Sequence, residues 1–582
     1  MKRGLAGFQP MLLRNAFRWG KRALKHIHSR IFPVPLSAEQ AAFVERNLAF
    51  WNGECGAVDK AGSGYVFVRV EGHPVLFLSD ASFATIAGRA KGLRPLFVTS
   101  GFKNSVSTMI LESYPGAAFV YLRSLRWLGM RLIAVLQAVR LYRSIQSPRD
   151  LLNLQVDGIR FGDVIYDAVL AEGYATISTI DYRTFIVLQR FYFLRSFIRY
   201  VIKRYNLQAA VFAHTVGLQS AVFGRYLLQA GIEVINRIGS HQILLKKYQG
   251  LADVGTYALK PEPRYLALML ERDDGTILRK AEEYLERRFS QQVRHLAVDA
   301  AFDPSKRIYD DRRSFCQDYC LDPEKPIAFV MLHVFNDYPH SHFAKPMIFQ
   351  DYYDWFIRTL ELAGEVKSAN WIFKEHPAAD HYITRDVDLK RVFQEVKYNN
   401  VRFLDRQADF NARSIPHLAQ AILTCVGTAG LEYSTLGIPC ILGGESGYDG
   451  LGFTIEPKDE GEYAARLRRI DSLERLSGQQ IRAAKVVAYF FFCVMESAVY
   501  HFCPRFTDTE ICEWNGECER RLWMEAARRL ADEDSMRLMK TQIEELSGFL
   551  IDSSWTQYVD LRQFPHFGNG KAKCATGRGQ SK

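Results

Sequence analysis

The sequence lacks several features that would place it in a well-defined protein class. Its ten cysteines are scattered over 582 residues, and neither close pair, Cys316/Cys320 or Cys512/Cys518, has a second pair at zinc-site spacing. The most apolar run, residues 486–495, has ten residues, about half of what a membrane-spanning helix needs. We therefore exclude a disulfide scaffold and expect a reduced cytosolic protein without a spanning helix.

Two common phosphate-binding signatures are absent as well. The chain has no GxxxxGK(S/T) loop, and no GxGxxG follows a predicted strand. Both patterns hold nucleotide phosphates on backbone N–H groups at the start of a helix. Kinases, P-loop ATPases and ordinary NAD enzymes are therefore unsupported, and we expect no bound cofactor.

Acidic residues are missing from both ends of the chain. Residues 1–38 hold eight Lys or Arg, residues 571–582 hold four, and neither segment has an Asp or Glu. These twelve charges exceed the net charge of +11, so residues 39–570 sum to −1. A nucleic-acid enzyme usually carries its basic surface on the folded body, and we therefore expect no nucleic-acid partner.

The basic N-terminal segment also contains apolar side chains among its charges, namely Met11, Leu12, Phe17, Trp19, Leu24 and Ile27. This mixture is typical of a helix that lies on a membrane surface, with the cations facing anionic headgroups. We expect residues 1–38 to form such an arm and to place the protein on the inner face of the cell membrane. A disordered arm is the alternative.

Short apolar runs alternate with helical patterns along the rest of the chain. Strand character recurs at residues 65–70, 75–78, 95–99, 117–122, 209–213 and 232–236, and again at 327–333, 371–374, 401–404, 421–425 and 440–442. Such alternation predicts parallel sheets covered by helices on both faces. We expect two doubly wound, Rossmann-like α/β domains with a cleft between them.

The predicted boundaries follow from the charged, proline-containing stretch near the middle of the chain. We expect an N-terminal acceptor domain at 39–305, a linker at 306–325 and a C-terminal nucleotide-donor domain at 326–480. A crossover helix and helical extension would occupy 481–550, and a flexible basic tail 551–582.

Polar residues follow three strands of the predicted second sheet. His333 and Asp337 lie at or after the end of the first of these strands, Lys374 ends the second and His376 follows it, and the segment 426–432 follows the third. Ligands of open parallel sheets bind outside the carboxyl ends of the strands. The sequence therefore predicts a site at this edge.

The third of these loops has the pattern of a phosphate seat. Gly427 permits a tight turn, and Thr428 occupies a predicted N-cap position. The N–H groups of Ala429 and Gly430 would point outward, with the positive end of the helix dipole. Glu432 lies one turn further on the same helix face, where a carboxylate suits a ribose hydroxyl pair. Alternatively, Thr428 is only a cap and Glu432 is solvated.

Lys374 and His376 alternate with Glu375 along an extended backbone and therefore face the same way. Two such cations in a cleft suit a diphosphate or a nucleotide leaving group. In the alternative interpretation, Lys374 pairs internally with Glu375.

These segments resemble bacterial capsule and surface-polysaccharide glycosyltransferases of GT-B architecture, and are similar to capsule Kdo transferases and CDP-glycerol glycerophosphotransferases. The resemblance covers roughly residues 150–500. It rests on Asp157-Gly158-Ile159, Gly162-Asp163, Ile165-Tyr166-Asp167, the His214 loop, His333-Val334-Phe335-Asn336-Asp337, Lys374-Glu375-His376-Pro377, Gly427 to Glu432, and Leu436-Gly437-Ile438-Pro439. One departure is Val426-Gly427-Thr428, where Kdo transferases often have paired serines.

The resemblance implies that Lys374, His376, Gly427, Thr428 and Glu432 bind the donor nucleotide. In GT-B enzymes the base that deprotonates the acceptor usually comes from the N-terminal domain. His214, at the end of a predicted strand, suits that role, and Asp163 and Asp157 are alternatives.

His333 and Asp337 would hold the donor or orient a phosphate. Asp386-Val387-Asp388 matches an acidic metal-binding triplet of another glycosyltransferase fold, but it opens a predicted helix, where acids suit the dipole. We therefore expect no metal.

The sequence thus predicts a glycosyltransferase that moves a sugar from a CMP-, CDP- or UDP-linked donor to a lipid-linked or growing surface-polysaccharide acceptor. The alternatives are a polyol-phosphate transferase, a nucleotide-sugar epimerase of the same fold, and a non-catalytic capsule-assembly factor.

Overall fold

The computed structural model describes residues 35–54, 64–70, 72–239, 241–255, 260–272, 275–293, 296–341, 347–377, 379, 384–494 and 498–558. The predicted basic arm and basic tail lie almost wholly outside these residues.

The strands of the described chain fall into two large sheets and one small hairpin. In chain order they are β1 Tyr65–Arg69, β2 Arg94–Thr99, β3 Ala118–Tyr121, β4 Gln155–Val156, β5 Ile159–Arg160, β6 Leu207–Phe212, β7 Glu233–Ile238, β8 Leu244–Tyr248, β9 Ile327–Met331, β10 Asn370–Lys374, β11 Val401–Leu404, β12 Ala419–Thr424, β13 Cys440–Leu442, β14 Thr454–Ile455 and β15 Gln557–Tyr558.

The first sheet has the strand order β15-β8-β7-β6-β1-β2-β3, and the second has the order β11-β10-β9-β12-β13-β14. All neighbours in the second sheet are parallel. In the first sheet β8 is antiparallel to both of its neighbours, β7 and β15, and the other neighbouring strands are parallel. Strands β4 and β5 pair with each other as the hairpin.

Helices cover both faces of both sheets. In chain order they are α1 Ala38–Ala49, α2 Pro74–Lys91, α3 Val106–Leu111, α4 Leu128–Ser144, α5 Pro148–Leu152, α6 Gly162–Leu170, α7 Tyr182–Arg204, α8 Leu218–Gln229, α9 Pro263–Arg272, α10 Thr276–Phe289, α11 Leu296–Ala301, α12 Arg312–Asp318, α13 Tyr352–Glu365, α14 Leu389–Glu395, α15 Ile415–Leu418, α16 Thr428–Ser434, α17 Glu460–Leu467, α18 Gly478–Ala488, α19 Asp508–Cys512, α20 Gly516–Arg529 and α21 Glu533–Ile551.

Strand β9 shows why the second sheet is covered on both sides. Ile327 and Phe329 are buried in the core on one face, whereas Ala328 and Val330 are buried in the core on the other. Successive side chains of a strand point to opposite faces, so a continuous apolar run needs a helical layer on each. The predicted fold class, two Rossmann-like domains, is confirmed.

One predicted strand is wrong. Residues 75–78 lie at the start of α2, where His73 accepts a hydrogen bond from the N–H of Val75 and Pro74 occupies the first helical position. Proline at that position has the φ angle of a helix and lacks only an N–H that would have no partner there. The buried run then continues to Gly88. A buried segment of this length is too long for a typical strand.

The segment expected to link the domains contributes to the second core. It contains α12, and both Phe315 and Cys316 of this helix are buried there. After α18 and a π-helical turn at Tyr489–Val494, the chain returns to the first domain. Tyr500 and Phe502 enter the first core, and β15 pairs with β8. No helix within the described ranges combines the length and the apolar character needed to cross a membrane.

Candidate functional site

The three polar loops of the second domain lie together, because β10, β9 and β12 are neighbours in the sheet. A cavity of about 320 Å³ opens at the carboxyl ends of these strands, and a smaller one of about 100 Å³ adjoins it. His333, Glu375 and His376 line both. The sequence-predicted edge is therefore a concave surface with polar walls.

The smaller cavity contains most of the predicted donor-binding residues. Its walls include His333, Lys374, His376, Gly427, Thr428 and Glu432. Parallel strands end at one edge of a sheet, so residues distant in sequence meet here. The side chains differ, however, in whether their polar atoms already form hydrogen bonds or ion pairs with other residues of the protein.

His333 supports the neighbouring loop. Its Nε2 accepts hydrogen bonds from the N–H groups of Cys425 and Val426, each at 3.2 Å, and lies 3.0 Å from Thr424 Oγ1. Burial, together with the nearby His376, lowers the pKa of His333 to about 3. The ring is therefore neutral, with its proton on Nδ1, and it positions the loop that follows β12.

Gly427 is the N-cap of α16, with an ordinary φ of −67°. The glycine is needed for space, since a Cβ would lie 2.9 Å from Thr424 Oγ1 and 3.4 Å from His333 Cε1. Gly430 is a packing residue, because a Cβ there would collide with the hydroxyl of Tyr448.

Thr428 occupies the first helical position, so its prediction as the N-cap is wrong. No side chain caps α16, and Thr428 itself is exposed. The first N–H groups of a helix have no carbonyl partner within it. Thr428 and Ala429, the first two residues of α16, line the smaller cavity.

Lys374 is the last residue of β10 and lines the smaller cavity. Within the described chain, no hydrogen bond or ion pair holds its ammonium group. Burial, and secondarily the charge of Lys306, lowers the pKa of Lys374 to about 8. The expected alternative, a pair with Glu375, is not formed, since Glu375 accepts the N–H of Arg406 at 3.0 Å and pairs with its guanidinium.

Glu432 is buried and not solvated. Its Oε1 lies 2.9 Å from a guanidinium nitrogen of Arg288, and both side chains are buried. Arg288 comes from α10, in a charged stretch that no local sequence pattern places beside this site. The alternative of a solvated Glu432 is therefore wrong, because the carboxylate forms an internal ion pair, and the role of Glu432 as a donor ligand stays a prediction.

The loop after β9 reaches toward the first domain. Tyr338 adopts a positive φ of 50°, and its ring lies 3.9 Å from the Cβ position of Gly217. Asp337, whose N–H donates to the carbonyl of Val334, lies in this loop. It does not line either of the two cavities in the described structure.

His214 follows β6 and shares a loop with Gly217. Its ring is exposed, and Nδ1 lies 2.9 Å from the carbonyl oxygen of Val216. A carbonyl only accepts, so Nδ1 carries the proton and Nε2 is the basic nitrogen of the neutral ring. His214 is three residues before Gly217, the residue of this loop that Tyr338 approaches.

Asp163 is not placed to act as a catalytic base. It is fully buried, and both carboxylate oxygens bind the guanidinium of Arg225, at 2.8 and 2.6 Å. Burial acts to raise the pKa of Asp163, but the charge and hydrogen bonds of Arg225 outweigh it and leave the pKa below its usual value.

Asp157 is also a structural residue. It forms with Gly158 a two-residue turn between β4 and β5, with positive φ at both positions. Its carboxylate accepts hydrogen bonds from Arg195 and from Tyr226, and these contacts hold its pKa at about 2.

The two aspartates of the triplet at 386–388 accept hydrogen bonds from backbone N–H groups. Asp388 caps α14 through the N–H of Arg391, as the helix interpretation predicted, and Asp386 accepts the N–H of Ala175 from the first domain at 2.9 Å. Among the residues that the structure describes, no three His, Cys, Asp or Glu side chains are grouped to bind a metal ion.

The larger cavity contains charged residues that the sequence did not single out. Its far wall includes Lys390, Asp405 and Arg406, and Lys390 pairs with Asp405 at 2.7 Å. These residues stand at helix and strand ends without a recognisable motif. Only the neighbourhood of β10 and β11 in the folded sheet brings them to the site.

No protein-family model matches the chain, and no curated protein sequence does. Its architecture is similar to that of solved glycosyltransferases. A beta Kdo 2,4 transferase, KpsC of Thermosulfurimonas dismutans, shows 15% identity over 49% of this chain and 78% of its own, with a TM-score of 0.29.

Two further solved structures align over more of the chain. A glycosyltransferase from Rickettsia africae shows 10% identity over 81% of this chain and 99% of its own, with a TM-score of 0.23. The wall teichoic acid polymerase TagF shows 10% identity over 89% and 99%, with a TM-score of 0.20. At TM-scores below 0.5 these likenesses define neither reaction nor ligand, which depend on the contacts of this chain's own site.

Proposed function

We propose that this protein is a glycosyltransferase that binds a CMP-, CDP- or UDP-linked sugar donor in its C-terminal domain, residues 326–480. The acceptor, a lipid-linked or growing surface polysaccharide, would bind to the N-terminal domain, residues 39–305. The basic arm would hold the protein at the inner face of the cell membrane.

The observation that carries this proposal is the ammonium group of Lys374. It lies in the wall of a cavity, and the neighbouring carboxylate, Glu375, is engaged by Arg406. A desolvated charge without a counter-charge is unfavourable. A phosphate group in the smaller cavity would supply that counter-charge.

The surrounding groups suit the phosphates of a nucleotide. His376 stands at the same strand end as Lys374, and Thr428 and Ala429, whose N–H groups begin α16, line the same cavity. Backbone N–H groups at a helix start and nearby cations favour an anion. The loop that presents these N–H groups is held by His333.

In the proposed reaction, an acceptor hydroxyl oxygen attacks the anomeric carbon of the donor sugar. The bond from that carbon to the phosphate oxygen breaks, and the nucleotide leaves with the electron pair. Lys374 and His376 would stabilise the negative charge that develops on the leaving phosphate. The hydroxyl proton would pass to Nε2 of His214, which its Nδ1 contact leaves as the basic nitrogen.

A nucleotide panel tests the proposal. We expect CMP, CDP or UDP to raise the unfolding temperature of the full chain, and the matching sugar nucleotide to be consumed when an acceptor is present. His214→Gln should slow transfer without weakening nucleotide binding. Stabilisation by none of the three would instead favour a non-catalytic assembly factor. An isomerised sugar without acceptor would favour an epimerase, and transfer from CDP-glycerol a polyol-phosphate transferase.

A further inference from the structure

Helix α4 of the first domain presents an apolar stripe to solvent. Leu128, Leu132 and Leu136 follow one another at intervals of four residues and are 48%, 61% and 71% exposed. Ile133 on the same helix and Leu125 just before it are each 54% exposed. Residues three and four apart share one face of a helix, so these side chains form a continuous surface.

This concentration is unusual for the molecule. Of the sixteen exposed large apolar side chains among the described residues, six fall between Leu125 and Leu136. Single exposed apolar residues are ordinary, but a contiguous patch marks an interaction surface.

The opposite side of α4 is firmly packed, so the exposed stripe is not a misplaced core face. Ala134 and Ala138 are buried, and their small side chains allow a close approach to α7. Trp127, immediately before α4, packs against Phe197 and Tyr200 of α7, with ring centroids 5.1 Å apart in both cases. The helix is therefore anchored, and its orientation is fixed.

Basic side chains surround the stripe. Residues 113–149 contain six arginines and no acidic residue, and the arginines are Arg123, Arg126, Arg131, Arg140, Arg143 and Arg149. Arg140 and Arg143 are exposed at the end of α4, and neither forms an ion pair with another described residue. Arg126 lies over the Trp127 ring, 4.1 Å from its centroid, at the other end. An apolar stripe between cations is the pattern of a helix in a lipid–water interface.

We propose that α4 docks on the surface of an anionic lipid bilayer. Leu128, Leu132 and Leu136 would enter the boundary between headgroups and acyl chains, and Arg140 and Arg143 would contact the lipid phosphates. This surface adds a second contact to the membrane location proposed above. It rests on neither the donor site nor the basic arm.

Charge disfavours the two other occupants that this chain can supply. Residues 1–34 carry eight Lys or Arg and no acidic residue, so they would bring further positive charge to the arginines around α4. A second copy joined through the same face would place arginine opposite arginine. An anionic membrane complements both the apolar stripe and its rim.

The position of α4 fits a membrane-bound acceptor. The helix begins shortly after the carboxyl end of β3, at the same edge of the first sheet as the His214 loop. Docking through its first turns would therefore bring this edge of the cleft near the lipid surface.

Co-sedimentation of the full chain with vesicles tests the proposal. Binding is measured on phosphatidylcholine alone and on phosphatidylcholine mixed with phosphatidylglycerol. The double variant Leu132→Gln/Leu136→Gln should bind the mixed vesicles at least roughly tenfold more weakly, because two apolar side chains no longer enter the lipid. The matched control Met524→Gln/Leu538→Gln replaces two similarly exposed side chains of α20 and α21 and should bind like the wild type.

A second variant separates the charge contribution. Arg140→Gln/Arg143→Gln should weaken binding to the mixed vesicles by roughly tenfold and leave binding to phosphatidylcholine alone unchanged. Unaltered binding of both α4 variants would overturn the proposal. So would a concentration-dependent dimer that the leucine variant abolishes while vesicle binding stays the same, since α4 would then be a self-interface. Nucleotide stabilisation of these variants should match the wild type, so failure here leaves the proposed transfer reaction untouched.

Discussion

The two domains carry groups of charged side chains on either side of their boundary, and the groups differ in how their charges are matched. In the first domain, Asp157 is bound by Arg195 and Asp163 by Arg225. In the second, Lys374 lies in a cavity wall with its neighbour Glu375 turned to Arg406. A charged side chain that is paired with a counter-charge in the protein stabilises the fold. A charged side chain without such a partner can bind a ligand of opposite charge.

The same acidic segment also joins the domains through Tyr166 and Asp167. Asp167 accepts the N–H groups of His340 and Ser341 from the second domain. The hydroxyl of Tyr166 donates to Asp351, 2.7 Å away. Burial raises the pKa of Asp167 to about 8. The acidic segment that resembles part of a glycosyltransferase motif therefore serves the domain interface in this structure.

The largest effect on stability is expected when the ion pair between Asp163 and Arg225 is broken. Asp163→Asn leaves the guanidinium of Arg225 buried without a counter-charge, and should lower the free energy of unfolding by about 3–5 kcal/mol. Urea unfolding of the full chain measures this loss. The control Glu395→Gln removes an exposed partner of Arg391 and should change the free energy by less than about 0.5 kcal/mol. Equal, small losses in both variants would mean that Asp163 is not structural.

For Lys374, we expect a substitution to weaken ligand binding and not to lower the free energy of unfolding. Lys374→Met should weaken binding of CDP or UDP by about 10- to 100-fold, the worth of a charged hydrogen bond. The free energy of unfolding should not fall, because the change removes a desolvated charge. Titration calorimetry gives the affinity.

Lys325→Met is the matched control, since Lys325 lies before β9 at the opposite edge of the sheet and forms only an exposed pair with Asp322. Its nucleotide affinity should equal that of the wild type. A loss of stability at Lys374 with unchanged affinity would assign that lysine to the fold instead.

The sequence located the edge of the second sheet, but it did not distinguish matched from unmatched charges there. The positions of Lys374 and Gly427 follow from local patterns, since apolar runs define the strands and parallel strands end together. The partners do not follow, because Arg288 reaches Glu432 across 144 positions of sequence. Likewise, a four-residue apolar run at 75–78 does not reveal that the buried segment continues as a helix.

The pH dependence of nucleotide affinity tests whether the charged form of Lys374 binds the nucleotide. The pKa of Lys374 is about 8, so affinity should be constant below that pH and fall by up to about tenfold per unit above it, as the ammonium is lost. Lys374→Met should remove this fall.

Stability should respond to the same titration with the opposite sign. The folded pKa of Lys374 lies below its ordinary value of 10.5, so the folded state disfavours the charged form. The contribution of Lys374 to stability should therefore rise between about pH 8 and pH 10.5. Calorimetric affinity and urea unfolding across this range, with Lys374→Met as the reference, measure the two trends. Parallel falls in both would contradict an unmatched lysine.

The smallest effect is expected at Thr428, which lines the same cavity as Lys374 but does not cap its helix. Thr428→Val should change the free energy of unfolding by less than about 0.5 kcal/mol, whereas Ser477→Ala, at the capping box of α18, should lose about 1 kcal/mol. If the Thr428 hydroxyl donates to a nucleotide phosphate, affinity should fall roughly three- to tenfold. A stability loss equal to that of Ser477→Ala, with no change in affinity, would place Thr428 among the matched, structural residues.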